Sequence, residues 1–525
     1  MPKNLSFNAD INLTGDITDV GDITASSFIG TVAPATETTL TATSNTAFLT
    51  AASHTLANGS VQGTRKLIVN DQGRTLPPSI TAVGGKIPGK IDVLPFGTVF
   101  TPSQINAFAY DPVNNQVYVG GKIISLYTLA DVLDPENAGA ATDAFGIVRI
   151  DVATNTLAPL IDAGGINGVK ASSINSTEVH DLLYYDSNIY ISGFFNTLGD
   201  GTGTGFLAKY DIATNAFSNP TGTAPTSHVF GLTRVGTNVY FGGQFTNGSY
   251  RNIGVWNTTT DAITHITDTA SNRGVSQKVQ TLTTLGTKVY MGTGNGADTD
   301  PTPSGSTSAL CVYDTVADLF STVTNATVSA KGTIENIKGH DGKVYIASQQ
   351  NDPINNLPSG QADYLAVYDE ATNTFSKLAG SYDGVNSIPR HLEVLDNKLY
   401  IVGGFTQLNG TSPTPNFSVG RYAVYDITAG DFDTSDDIIV PAYDNTTYSV
   451  SAAGSVLYVG GQFKSVAGDT TIVATSILDP GSVTTESTIN GSFRKSDGTT
   501  PSSQTLSNLG GTLDIMWDGT YWTVV

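Results

Sequence analysis

The chain is short of charge, of basic residues, of cysteine and of long apolar runs. Charged residues fill 14% of its 525 positions, against about 25% in ordinary globular domains. Threonine, serine, asparagine and glycine take their place, and these favour strands and turns over solvated helix faces. Lys and Arg number 25 against 46 Asp and Glu, a net charge of −21. That balance argues against nucleic acid as a partner, since phosphates need cations to neutralise them. The single cysteine, Cys311, excludes an intramolecular disulfide framework and any multi-cysteine metal site. No run approaches the ~18 apolar residues of a membrane span. The opening Met1-Pro2-Lys3-Asn4-Leu5-Ser6-Phe7 lacks the apolar core of a signal peptide. The expectation is a protein made in a cytosol, a virus particle assembled in a host cytoplasm included.

What is present is an internal repeat. Seven segments share an apolar–Tyr–apolar pattern, usually followed by glycine. They centre on Tyr118, Tyr190, Tyr240, Tyr290, Tyr345, Tyr400 and Tyr458, spaced 50 to 72 residues apart. A second marker follows each, as in Tyr210-Asp211, Trp256-Asn257 and Tyr368-Asp369. Each unit reads as four short strands, for example Leu392–Val394, Lys398–Val402, Tyr422–Tyr425 and one near Phe375–Leu378. Seven such units predict an all-β chain whose residues 85–482 form a seven-bladed β-propeller. Solenoid repeats are shorter, usually ~20–45 residues. Lys90–Phe96 is expected to supply the fourth strand of the seventh blade, beside Ile472–Leu478, so that the ring closes without exposed edges.

The flanks read differently. Residues 1–30 carry a hexad, Asp10-Ile11-Asn12, Asp16-Ile17-Thr18 and Asp22-Ile23-Thr24. One apolar residue in six buries no core within one chain. It fits an extended N-terminal β arm that docks on other virion proteins or gathers copies into a homo-oligomer, or else a disordered tail. Residues 31–75 end in the strand Arg65–Val69, and 485–525 end in a hairpin with its turn at Asp518-Gly519. Trp517, Tyr521 and Trp522 are too large to leave unpacked. The two stretches are expected to be halves of one small split β domain.

Chemistry leaves little trace. The six histidines show no zinc spacing, and no nucleophile elbow or phosphate loop appears. No catalytic residue, metal site or cofactor is assigned. Ca²⁺ has only the Asp-rich stretches around Asp200, Asp298-Thr299-Asp300 and Asp433–Asp437, which read first as solvated turns. Cys311 falls two residues before the repeat residue Tyr313 and reads as core. The first turn of each unit is short, whereas the span from repeat Tyr to repeat Asp or Asn varies from 17 to 33 residues. The uneven loops therefore crowd one face, where binding sites concentrate. Ten residues before the repeat tyrosines stand His180, Phe230, Gln280, Glu335, Arg390 and Tyr448, with Asn106 equivalent in the first unit. Scaffold positions repeat in kind and these do not, so they form a candidate ligand ring at a channel mouth. The alternative is a channel lined by whatever is soluble. Acidic loops, with Asp143, Asp200, Asp352 and Asp363 among them, favour a cationic or polyhydroxyl partner. Arg390 and Tyr448 have the residue types that anchor partners.

Two resemblances add to this. Gly242-Gly243-Gln244-Phe245-Thr246 followed by Asn252-Ile253-Gly254-Val255-Trp256-Asn257 resembles the blades of kelch-like propellers. Gly403-Gly404-Phe405-Thr406 and Gly460-Gly461-Gln462-Phe463 share the pattern. This likeness covers roughly 90–480 and implies a fold, not an activity. Thr39–Asn70 together with Leu509–Val525 resembles a small β module of phage tail-fibre and giant-virus structural proteins. It implies a structural virion protein, capsid-associated or part of a fibre, that presents the propeller to a host-surface glycan or protein. A carbohydrate-active enzyme using Glu335, Arg390 and Tyr448, and a cellular kelch-like interaction module, are the alternatives.

Overall fold

The structure is a computed structural model. It describes residues 104–126, 142–152, 156–173, 176–247, 250–294, 308–325, 328–354, 362–411, 414–434, 443–463 and 475–478, with the strand backbone of 39–40, 46–49, 53–56, 65–70, 487–490, 493–494, 503–506, 512–517 and 522–524. Every regular element among them is a strand. No described helix is long and apolar enough to cross a membrane. The chain divides into two compact units, Met1–Arg74 with Thr484–Val525, and Thr75–Val483.

In the large unit seven described sheets follow one another, antiparallel except where Thr221–Gly222 joins Ala262–Thr264 in parallel in the third. Their first strands are Ile105–Asp111, Glu178–Tyr185, Val229–Val235, Val279–Leu285, Ile334–His340, Pro389–Leu395 and Thr447–Ala453. Each pairs with a second strand that carries the repeat tyrosine, and all seven tyrosines are buried. Repeat five shows the pattern: Ile334–His340, Lys343–Ser348, Leu365–Asp369 and Thr374–Ser376, each antiparallel to the one before. Three strands are described in repeat seven, and Lys90–Phe96, expected to complete it, lies outside the described residues.

Local chemistry explains the turns. Strands one and two are joined in repeats two and six by two-residue turns, Asp186-Ser187 and Asp396-Asn397, with both residues at positive φ. Such turns match the twist of the flanking strands. The second marker makes the turn after strand three. Asp314 accepts the backbone N–H groups of Val316 and Ala317, and Tyr313 donates to Asp318 at 2.6 Å. Tyr368 donates likewise to Asn373, and the Trp256 indole to Asp261, both at 3.0 Å. Asp318, Asn373 and Asp261 hold the left-handed backbone, which Asn and Asp tolerate best.

Each first strand packs on the first strand of the next repeat, and Thr447–Ala453 packs on Ile105–Asp111, so the seven form a closed cycle of neighbours. The core is layered in the same way. Six hydrophobic clusters are each shared by successive sheets. A seventh joins Ala453 and Tyr458 to Ile105 and Phe108. The glycine after the repeat tyrosine is needed for this packing. A Cβ on Gly242 would stand 2.4 Å from Val279 Cγ1, and one on Gly120 2.5 Å from Val179 Cγ1.

The small unit has two sheets, and each mixes both ends of the chain. One joins Thr39–Leu40, Ser53–Leu56, Ser487–Asn490 and Ser503–Leu506; the other joins Thr46–Leu49, Arg65–Asn70, Thr512–Trp517, Trp522–Val524 and Phe493–Arg494. Arg65–Asn70 runs antiparallel to Thr512–Trp517, with Leu67 opposite Asp514 and Ile68 opposite Leu513. Trp517 faces Trp522 across the C-terminal pair. The hexad at residues 10–24 lies outside the described residues.

Candidate functional site

The seven residues singled out from the sequence share one backbone device. In every repeat the pairing between strands one and two skips one residue. The skips fall at Asn106, His180, Phe230, Gln280, Glu335, Arg390 and Tyr448. Each is the extra residue of a β-bulge, a feature that re-aims a side chain. The residue before the bulge anchors it. Val179, Val279, Ile334 and Ile105 fill the space left by Gly120, Gly242, Gly292 and Gly460 of the preceding sheet. The second residue after the bulge, such as Leu182, Leu282 or Ile337, is core. All seven bulged residues are half-buried.

From repeat five through repeat seven to repeat two the bulged side chains are wired together. Arg390 Nη1 donates to Glu335 Oε2 at 2.6 Å, and Gln349 donates to Glu335 Oε1. The Arg390 guanidinium lies 5.8 Å from the Tyr448 ring. Tyr448 donates to Gln462 at 3.4 Å, Gln462 to Gln104 at 3.2 Å, and Gln104 to Asn106 at 2.6 Å. Asn106 then donates to Glu178 Oε1 at 3.0 Å, and Lys122 pairs with Glu178 at 3.3 Å. Arg390 and Tyr448 are thus committed to neighbours in the protein, which residue type alone did not reveal.

From repeat two to repeat four the character changes to aromatic. His180 lies 5.1 Å from Phe230 and 6.1 Å from His228. His228 stacks on Phe194 at 4.1 Å and 15°, and Phe206 lies 6.5 Å from His228 at 13°. Lys278 sits 5.8 Å from the Phe230 ring. Phe206 holds φ 71, where repeat one has Gly146 at φ 73; Tyr364 and Arg421 take the same place in repeats five and six. His180 Nε2 and Gln280 Oε1 are buried with no hydrogen-bond partner among the described residues. Burial holds the His180 imidazole down to about 4, although Glu178 opposes the shift, and burial lowers His228 as well.

One residue beyond the bulge, side chains clasp the neighbouring first strand. Asp181 Oδ2 accepts the Leu232 N–H at 2.7 Å, and Asn336 Oδ1 accepts the Leu392 N–H at 3.1 Å. Ser449 Oγ donates to the Ile105 carbonyl at 3.2 Å and so ties repeat seven to repeat one. Burial raises Asp181 to about 7 against these bonds, and burial lowers His391, at the equivalent place in repeat six, to about 3.

Among the described residues no three His, Cys, Asp or Glu stand together as a metal group. The Asp200 carboxylate is engaged by the backbone and hydroxyl of Thr202. Asp298 and Asp300 lie outside the described residues. Cys311 is buried in the layer between repeats three and four. The sequence reading missed Gln104, Glu178, His228 and Lys278, each two residues before a bulged residue, where strand alternation returns to the same face. It also missed Lys122, Phe194, Gln349 and Gln462, each four residues after a repeat tyrosine. Both sets vary in kind from repeat to repeat, and that was the available signal.

No family model matches the chain, and no curated protein matches it. Solved structures do. The computationally designed Ika8 protein is similar with a TM-score of 0.41 and 16% identity, over 72% of this chain and 90% of that one. The extracellular domain of BT4673 from B. thetaiotaomicron, assigned as a one component system, is similar with a TM-score of 0.43 and 14% identity, over 71% of this chain. The match spans 38% of that second chain, under two thirds of its length.

Proposed function

We propose that the large unit is a seven-bladed β-propeller and that the chain is a non-catalytic display protein of a virus particle, binding its partner at the propeller mouth. The closed cycle of seven first strands and the seven shared core layers support the ring. One observation carries the binding reading. Seven bulges at equivalent positions present seven different side chains. A device repeated that faithfully, with contents that vary that freely, serves presentation and not packing. Glu335 is bonded by both Arg390 and Gln349, which suits a rim more than a catalytic acid. In this reading the small split unit, through its likeness to viral appendage modules, fixes the chain on the particle, and the propeller meets a host-surface partner. Binding of the full chain to host cells tests the mouth. The pair Arg390→Ala with Tyr448→Ala is expected to weaken it about tenfold or more while the ring stays folded, which thermal unfolding checks. Undiminished binding both by that variant and by His228→Ala with Phe230→Ala would sink the reading.

A further inference from the structure

We propose that the mouth takes a neutral sugar ring, stacked on the aromatic group Phe194, Phe206 and His228 between repeats two and three. The inference rests on the mouth being a binding site and names its ligand class. Three observations carry it. The rings of Phe194 and Phe206 lie 15° and 13° from the plane of His228. All three are half-buried, so the group keeps open surface. An aromatic face of this kind suits the C–H face of a pyranose, whose hydroxyls then point outward around the edge.

The polar surroundings match those hydroxyls. His180, whose ring lies 6.1 Å from His228, has its Nε2 buried and without a partner among the described residues, as is Gln280 Oε1 at the bulge of repeat four. A buried polar atom left unmatched is costly, and a ligand hydroxyl can donate to Gln280 Oε1 and either donate to or accept from His180 Nε2. The carboxylates of the rim are already matched: Glu178 lies 3.3 Å from Lys122, and Glu335 lies 2.6 Å from Arg390. With the carboxylates matched and Lys278 seated over the Phe230 ring at 5.8 Å, a neutral polyhydroxyl ligand fits the rim best.

Phe206 makes the test clean. A bulky residue at φ 71 is strained, and glycine is what repeat one uses there. Phe206→Gly removes the ring from the stack while relaxing the backbone. The full chain would be applied to an array of neutral hexose oligosaccharides, with sialylated and sulfated counterparts as the charged arm. Binding to neutral glycans is expected, weakened about tenfold by Phe206→Gly or His228→Ala. The urea midpoint of Phe206→Gly should change little. Equal neutral-glycan binding by the wild type and Phe206→Gly overturns the proposal, as does binding to the charged arm alone or to no glycan. If Arg390→Ala with Tyr448→Ala loses ligands that Phe206→Gly keeps, the aromatic site falls and the mouth stands. If all variants keep them, both fall.

Discussion

The seven bulged positions fall into two arcs that are built on the same backbone device and end up chemically opposite. Between repeats five and two, side chains satisfy one another in an unbroken run from Gln349 to Lys122. Between repeats two and four, rings stack and the bonded run ends, leaving His180 Nε2 and Gln280 Oε1 over; within the wired run only Arg390 Nε is left so. A network in which each member is bonded is rigid, and a ligand must break bonds to enter it. An arc with unmatched atoms gains bonds when a ligand arrives. Equal backbones with unequal satisfaction thus separate a bonded frame from the arc that the proposed reading takes as the binding surface.

The largest effect should come from the scaffold that both arcs share. Gly242→Val would drive new methyl groups into Val279, which anchors the bulge at Gln280, and should cost about 3 kcal/mol. Urea unfolding would measure it, and the loss of both arcs together would erase their difference. A smaller effect separates them. Arg390→Met leaves the Glu335 carboxylate, 11% exposed, without its cation and should cost about 2 kcal/mol. Pairing it with Glu335→Met should recover most of that loss. Phe230→Ala, on the open arc, should leave the wired arc's stability unchanged in the same double-mutant cycle.

Acidity sharpens the contrast further. His180 titrates at about 4 and His391 at about 3 in the folded protein, against 6.5 unfolded. Their folded pKa values are depressed, so the unfolded chain takes up protons first. The stability they permit is complete above pH 6.5 and drains away as pH falls toward 4. Asp181 runs the other way, from 3.8 to about 7: its contribution is complete below 3.8 and is lost as pH rises through 7. Denaturation midpoints at pH 4.5 and 7.5 should therefore fall less on acidification in His180→Phe than in the wild type. The smallest effect is expected from Phe206→Gly, under about 1 kcal/mol, since relief of the left-handed backbone is set against the ring's stacking and its packing on the Tyr190–Trp256 layer.

Much of this architecture was legible because each repeat buries its tyrosine against the next sheet, and burial forces regular spacing. The pairing of Arg65–Asn70 with Thr512–Trp517 could be read from two apolar half-sheets, neither able to make a core alone. The bulge was not legible. One extra residue leaves no mark on composition, yet it turns His180 or Glu335 out of the alternation that Leu182 and Ile337 follow. The bond between Arg390 and Glu335 joins strands 55 residues apart, and only the closed packing of repeats brings them level. Phe206 drew no reading from the sequence, where nothing shows that its backbone is left-handed.

The split sheet has a consequence in time. Asn70 leaves the ribosome 442 residues before Thr512, the start of the strand that pairs with its own. At about 5–20 residues per second that is a wait of roughly twenty to ninety seconds. Over that interval Arg65–Asn70 has an unmatched ladder of amides and carbonyls, the kind of edge that recruits strands from other chains. Condensation of the intervening segment as it emerges shortens the loop to be closed and lowers the entropy of bringing the two ends together. Completion of the small unit thus waits on Thr512–Trp517 and Trp522–Val524, and a chain terminated before them cannot close its second sheet.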